Sequence, residues 1–445
     1  MMLFEKSFFS YFILFTFLLP VTAFPSHDSQ WKNSPGREHA QLKGRYIVRL
    51  KQGTSVASIQ EDLFSLDASL KAAEAQNCTH ESGVVQTITI DDFHAVVLQS
   101  CHSNARDILE SRPDVEWVEP DQPIWSAFCP GHEVEHENEA GSSQQRKGGV
   151  CGKDDGNRRP NVVTQQNPRS YGLIRISQRR RDYSQPYRYP ATAGEGVDVY
   201  VLDTGVFVGH RDLSGRAYYG ANFVSESSDD LAGHGTHIAC IIAGTQFGVA
   251  KKAHIYSVKI LNRFGAGAIS GLIAGVNWVA NHHWRSRKSV VNLSLIGPKS
   301  KAIEDALGSL VKRGVNIVVA AGNEMADACE ASPSGEPAVL TVGATNKFDQ
   351  LAEFSSSGRC VDVYAPGVNI LSCGVESPSA TSLKNGTSFS APFVSGIAAL
   401  YLSQRDFSRP GELYKTIKNS ATQNAIDLTV AEEGSNNLLA YNWLK

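Results

Sequence analysis

Three short segments carry residues that can do covalent chemistry together. The apolar, β-branched run Val197–Leu202 ends in Asp203-Thr204-Gly205. Gly233-His234-Gly235-Thr236-His237 opens a second apolar run, Ile238–Ala243. Asn385-Gly386-Thr387-Ser388 leads into a third, Phe393–Leu402. A serine hydroxyl is a poor nucleophile near neutral pH and needs a histidine base to take its proton. The histidine needs a carboxylate to fix its tautomer and stabilise the imidazolium. Asp203, His234 and Ser388 supply one of each, and their joint chemistry would be acyl transfer at a carbonyl carbon. Asn323, just after the apolar run Asn316–Ala321, adds an amide that can donate to a developing oxyanion beside the Ser388 N–H.

Taken singly, each segment has a plainer reading. An aspartate before glycine forms turns, and a serine at a helix start is most often an N-cap. His234 and His237 could share a metal, although the glutamate of a zincin motif is missing. Asp-Thr-Gly is also the catalytic segment of aspartic proteases, in which two carboxylates share a proton. The chain holds no second Asp-Thr-Gly or Asp-Ser-Gly, so that reading needs a homodimer. It also disagrees with the surrounding alternation of strands and helices. A different rival keeps the triad but lets the protein cut once and then act only as a binding protein.

The elements that must hold these residues can be read from periodicity. From about residue 168, Val197–Leu202, His254–Leu261, Val290–Ile296, Asn316–Ala321 and Ala338–Val342 are short, β-branched runs. Ser270–Trp284 and Lys301–Arg313 between them have helical spacing. The expected fold of 168–445 is therefore α/β, a doubly wound, mainly parallel sheet with sites at the carboxyl ends of its strands.

Residues 45–121 read as a smaller α+β unit. Strands at Tyr46–Leu50, Val84–Ile90, Phe93–Gln99 and Val115–Glu119 combine with helical stretches near Ser55–Leu70 and Ser103–Ser111. That order, β-α-β-β-α-β, is ferredoxin-like. Residues 122–167 read as a linker or processed insert, rich in Gly, Ser, Glu, Gln and Asn from 126 on. It carries the basic pairs Arg146-Lys147 and Arg158-Arg159.

Composition narrows the function classes. The 445 residues carry 42 Lys+Arg against 45 Asp+Glu, a formal charge of −3. This offers no electrostatic basis for nucleic-acid or anionic-membrane binding. Lys6, the apolar run Phe8–Leu19 and the small residues Val21-Thr22-Ala23 predict a cleaved signal peptide over 1–23. That run is shorter than the ~20 residues a membrane span needs. Secretion without an anchor follows, and with it an oxidising compartment. The eight cysteines contain no CxxC pair, which argues against a zinc ribbon. Proximity in sequence suggests Cys78–Cys101 and Cys129–Cys151, while Cys240 and Cys373 have no assigned partner. Asn77-Cys78-Thr79 is a glycosylation acceptor sequence.

The order Asp, His, Ser along the chain is that of subtilisin. Val201-Leu202-Asp203-Thr204-Gly205, Gly233-His234-Gly235-Thr236-His237, Ala320-Ala321-Gly322-Asn323 and Gly386-Thr387-Ser388 resemble the signature blocks of subtilases, with most likeness to the proteinase K group. The likeness covers roughly 168–445, and 45–121 resembles the family's inhibitory propeptide, including its ending Val115-Glu116-Trp117-Val118-Glu119.

The resemblance implies a secreted serine endopeptidase made as a self-processing zymogen. Its partners would be protein substrates and its own propeptide, and the protein would be a monomer. Ser388 would be the nucleophile, His234 the base, Asp203 the orienting carboxylate and Asn323 the oxyanion donor. No cofactor is implied for the chemistry. Extended substrate would pair with strands near Gly265 to Gly267 and with Ser294, Leu295, Ile296 and Gly297. A structural calcium is implied on the carbonyls of Pro337 and Val339 and the carboxylate of Asp362. A disulfide is implied between Cys329 and Cys360. Ile296 and Pro298 depart from the family's Ser-Leu-Gly-Gly strand, so substrate preference does not carry over.

Overall fold

The computed structural model describes residues 42–54, 83–100, 104–128, 161–283 and 288–443. The signal peptide, the helix expected near Ser55–Leu70, most of the insert, the glycosylation acceptor and the pairs Cys78–Cys101 and Cys129–Cys151 lie outside the described residues.

The central sheet has nine strands in the order Thr422–Gln423, Leu438–Leu439, Val363–Pro366, Leu340–Thr345, Asn316–Ala320, Lys288–Leu293, Val197–Asp203, His254–Lys259, Ala217–Asn222. All its pairings are parallel except that of Thr422–Gln423 with Leu438–Leu439. Strands buried on both faces need apolar residues at every position rather than alternate ones. Val197–Asp203 is buried along its whole length and is apolar at Val197 and from Val199 to Leu202, and its side chains divide by the two-residue period of a strand. Val197, Val199 and Val201 join a core beneath helices His234–Ala243 and Thr387–Gln404. Tyr200 and Leu202 join the opposite core, beneath Ile269–His282 and Lys301–Lys312. The expected α/β sheet is therefore present, with helices on both faces.

The 45–121 unit forms an antiparallel sheet in the order Gly83–Ile90, Phe93–Gln99, Arg45–Leu50, Val115–Pro120. Alternation again sorts its residues. Val48, Val96 and Leu98 face its own short helix Ala105–Glu110 through Leu109. Ile47, Ile88, Ile90, Phe93 and Val97 face outward into the core beneath helices Ile269–His282 and Lys301–Lys312. The small unit thus completes its second apolar face only by packing on the larger one. Burial of this kind contributes about 25 cal/mol per Å² of apolar surface removed from water.

Polar contacts fix how the two units dock. Asp121 Oδ1 accepts from the Ser270 N–H at 3.0 Å, and Glu119 Oε2 from the Ala302 N–H at 3.1 Å. Each carboxylate therefore sits at the amino end of a helix, where unpaired N–H groups and the helix dipole favour negative charge. At the other end of the interface Lys312 Nζ lies 2.7 Å from Asp92 Oδ2.

Candidate active site

Asp203 is the last residue of strand Val197–Asp203, and His234 is the first of helix His234–Ala243. Both are buried, and Asp203 Oδ1 lies 2.7 Å from His234 Nδ1. The Thr204 N–H also donates to Asp203 Oδ1 at 2.7 Å, and the Gly235 N–H donates to Thr204 Oγ1 at 3.0 Å. The two backbones pass so closely that a Cβ on Gly235 would stand 2.1 Å from the Gly205 carbonyl oxygen. Only glycine fits there, which accounts for the glycine beside the histidine.

Asp230, which the sequence reading did not single out, ties the two segments together. Its carboxylate accepts from Thr204 Oγ1 at 2.7 Å, Thr236 Oγ1 at 2.6 Å, and the N–H groups of Gly233 and Thr236, both at 2.8 Å. Lys259 pairs in register with Asp203 and is buried, with Nζ donating to the Thr204 carbonyl at 2.5 Å. Burial holds the Lys259 ammonium below its ordinary pKa, against the pull of Asp230, Glu226 and Asp203. His237 does not share a ligand with His234. Its Nε2 lies 3.1 Å from the carbonyl oxygens of both Ile370 and Ser382, and burial pushes its pKa well down.

Ser388 is the second residue of helix Thr387–Gln404 and is buried. Asn323 is locked against this helix start, its Oδ1 accepting from both the N–H and the hydroxyl of Thr387 at 2.9 Å. That leaves Asn323 Nδ2 buried with no hydrogen-bond partner. His234 Nε2 is likewise buried and unpartnered. The Ser388 hydroxyl donates instead to the Ser294 carbonyl at 3.0 Å, and the Ser294 hydroxyl donates to the Ser388 carbonyl at 2.8 Å.

The strands expected to receive extended substrate hold part of the chain itself. Pro123–Ser126, inside the segment read as linker, is a strand between Ala266–Ala268 and Leu295–Pro298, antiparallel to both. Gly267 pairs with Ile124 and Ile296 with Trp125. The Ser126 N–H donates to the Gly265 carbonyl at 2.8 Å and the Ala127 N–H to the Ser294 carbonyl at 3.1 Å. The Ala127 carbonyl oxygen then accepts from the Ser388 N–H at 3.1 Å. Order therefore continues past 121 because the residues after it complete a sheet.

Cys329 and Cys360 form a disulfide, as the resemblance implied. Cys240 and Cys373, which had no assigned partner, form another with an S–S distance of 1.99 Å. This bond ties the His234 helix to the strand Ile370–Cys373, whose first carbonyl meets His237. His210 lies close to the same two sulfurs, but their bond to each other leaves no thiolate for a metal.

The residues implied as calcium ligands do not fit that ion as arranged. Asp362 Oδ1 accepts from Lys418 Nζ at 2.8 Å and Oδ2 from the Thr341 N–H at 3.0 Å. The only charged group among Pro337, Val339 and Asp362 is thus already neutralised by an ammonium. Calcium sites draw their affinity largely from ligand charge.

Comparison with known proteins agrees with this geometry. The family model described as "Subtilase family" matches residues 194–440. "Subtilisin-like protease 1" of Pseudogymnoascus destructans is 34% identical over 427 residues, covering 96% of each chain. The "Cuticle-degrading serine protease" of Arthrobotrys oligospora is 41% identical over 415 residues, covering 90% of this chain and 91% of its own. The crystal structure of a cold adapted subtilisin-like serine proteinase superposes with a TM-score of 0.58 at 39% identity, covering 62% of this chain and 98% of its own. The aspartic-protease reading of Asp203 is overturned by the family and by the bond from His234 to that carboxylate. The chain belongs to the subtilase family and is a subtilisin-like serine endopeptidase.

Proposed function

We propose that the protein is a secreted endopeptidase made as a zymogen, which frees itself by cutting its own chain and is then held by its propeptide. The reading is supported most by the strand Pro123–Ser126, which follows directly on the 45–121 unit, fills the cleft and is succeeded by Ala127, whose carbonyl oxygen meets the Ser388 N–H.

The roles follow from the contacts. Asp203 accepts the Nδ1 proton of His234, which fixes the tautomer with a free electron pair on Nε2. Ser388 turns about its Cα–Cβ bond from the Ser294 carbonyl to His234, gives up its proton and attacks the bound carbonyl carbon. The oxyanion that forms is met by the Ser388 N–H and by Asn323 Nδ2, whose other atom is held by Thr387. One such donor is worth about 10²–10³ in turnover. His234 then protonates the leaving amine, and water hydrolyses the acyl-enzyme. None of these steps calls on a cofactor.

Docking explains inhibition in the same terms. The strand Pro123–Ser126 takes the hydrogen bonds that substrate would need, while Asp121, Glu119 and the apolar face of the small sheet anchor it. Secretion is supported by the signal-peptide pattern of 1–23 and by relatives such as the "Extracellular serine proteinase" of a Thermus species. Among the described residues no helix is long and apolar enough to cross a membrane.

The test is Ser388→Ala in the full chain. It should abolish both self-processing and peptide hydrolysis; persistence of both in the purified variant would contradict the proposal.

A further inference from the structure

We propose that the first bond this protein cuts is its own Ala127–Phe128 bond, and that Ile296 restricts it to substrates with a small residue before the cut and a branched apolar residue three positions earlier. This rests on the peptidase reading above and adds a site and a specificity to it.

The register identifies the bond. In acyl transfer by a serine, the carbonyl that is attacked is the one whose oxygen sits where the oxyanion will form. Here that is Ala127, held from both sides: its N–H by the Ser294 carbonyl and its oxygen by the Ser388 N–H, each at 3.1 Å. The next residue, Phe128, lies beside the base, its ring centroid 5.8 Å from that of His234. Ser388 Oγ therefore forms an ester with the Ala127 carbonyl carbon as the bond to the Phe128 nitrogen breaks. The hydroxyl proton passes through His234 to the departing Phe128 amine. Water then adds to the ester, leaving the propeptide with an Ala127 carboxylate and restoring Ser388.

Side chains on the two faces of the inserted strand give the preference. Ile124 is fully buried in the core that holds Leu261, Ile269 and Leu295. A Cβ on Gly297 would stand 2.8 Å from Ile124 Cγ2, so the bare backbone there makes room for a branched side chain. On the other face, Ala127 and Ile296 are buried in the same apolar cluster. Ile296 Cδ1 reaches across to Gly322, within 3.6 Å of where a Cβ on that residue would be. Its side chain thus spans from its own strand to the segment that precedes Asn323, filling the space a larger residue before the cut would occupy. Alanine at 127 is the residue that fits what remains.

Two measurements on the full chain decide this. In a refolding time course followed by intact mass, the earliest released propeptide should end at Ala127, whatever later trimming occurs in the insert. An earliest product ending elsewhere, for instance after Lys147 or Arg159, overturns the bond assignment. Mature enzyme is then given peptide pairs that differ only in Ala or Phe before the cut. The wild type should favour Ala in kcat/KM by at least about tenfold, and Ile296→Gly should raise the Phe/Ala ratio by a similar factor, since pocket volume discriminates at that level. Ile296→Ala, which shortens the side chain without freeing the backbone, is the second variant should Ile296→Gly not mature. Equal wild-type rates, or an unchanged ratio in a variant whose Ser388 still takes a fluorophosphonate, overturn the role of Ile296. A wild type that cuts neither peptide and takes no label would sink the peptidase reading itself, an outcome separable from both.

Discussion

The backbone N–H of Ser388 donates to the carbonyl oxygen of Ala127 at 3.1 Å. One hydrogen bond thus joins the residue expected to attack and the end of the strand that fills its cleft. Asn323 Nδ2, the second donor expected at an oxyanion, stands buried and unpaired nearby. On the proposed mechanism that free donor is kept for the charge that forms when Ser388 attacks.

Asn323 should therefore matter to turnover more than to binding. Asn323→Ala is expected to lower kcat by about 10²–10³ with little change in KM, because the lost bond strengthens only as the oxyanion develops. Steady-state kinetics on one peptide check this, and a rise in KM at constant kcat would contradict it.

Asp230 should act through position and stability. Its carboxylate gathers Thr204, Gly233 and Thr236, and removing it strands those buried donors. Each unsatisfied group costs about 1–3 kcal/mol. Asp230→Ala should lower the urea midpoint strongly, and Asp230→Asn should recover part of the loss by keeping the shape and two lone pairs. Equal midpoints for both variants would contradict this role.

Release of the propeptide should depend on pH with a definite sign. Burial pushes the carboxyl groups of both Glu119 and Asp121 above their ordinary values. A group whose pKa is raised in the complex favours the complex when protonated, and that contribution is lost as pH rises through the raised value. Asp92, held below its ordinary value first by its bond to Lys312, favours the complex when ionised and loses that contribution only at still lower pH. Co-elution of the cut propeptide with the enzyme should therefore be strongest at mildly acidic pH and weaken toward neutrality. The opposite trend over that window would contradict the assignment.

Calcium removal should leave the Asp362 region unaffected, because Lys418 already neutralises that carboxylate. Asp362→Asn is expected to shift Tm by the same amount with and without calcium. A shift seen only when calcium is present would show that the ion, not the ammonium, is the partner.

How much of this could be read from the chain differs by residue. Asp203, His234 and Ser388 were legible because each stands at a strand end or helix start flanked by glycines that local sequence displays. The succession of β-branched runs such as Val197–Leu202 and Asn316–Ala321 with helical patterns such as Lys301–Arg313 made the layered sheet legible in the same way. Asp230 was not legible, since its role exists only once Thr204 and Thr236 converge on it. Strand Pro123–Ser126 begins with proline and is four residues long, and its partners lie far along the chain. It becomes a strand by tertiary pairing, which propensity cannot express. Cys240 and Cys373 are 133 residues apart and carry no local signal of their bond. Lys418 likewise meets Asp362 across 56 residues.

The most direct test of the central claim is to map where a fluorophosphonate attaches to the mature protein. The adduct should form on Ser388 in the processed wild type and abolish its casein hydrolysis in proportion to labelling, because the acyl chemistry runs through that hydroxyl. Casein hydrolysis by a mature chain whose Ser388 remains unlabelled would contradict the account.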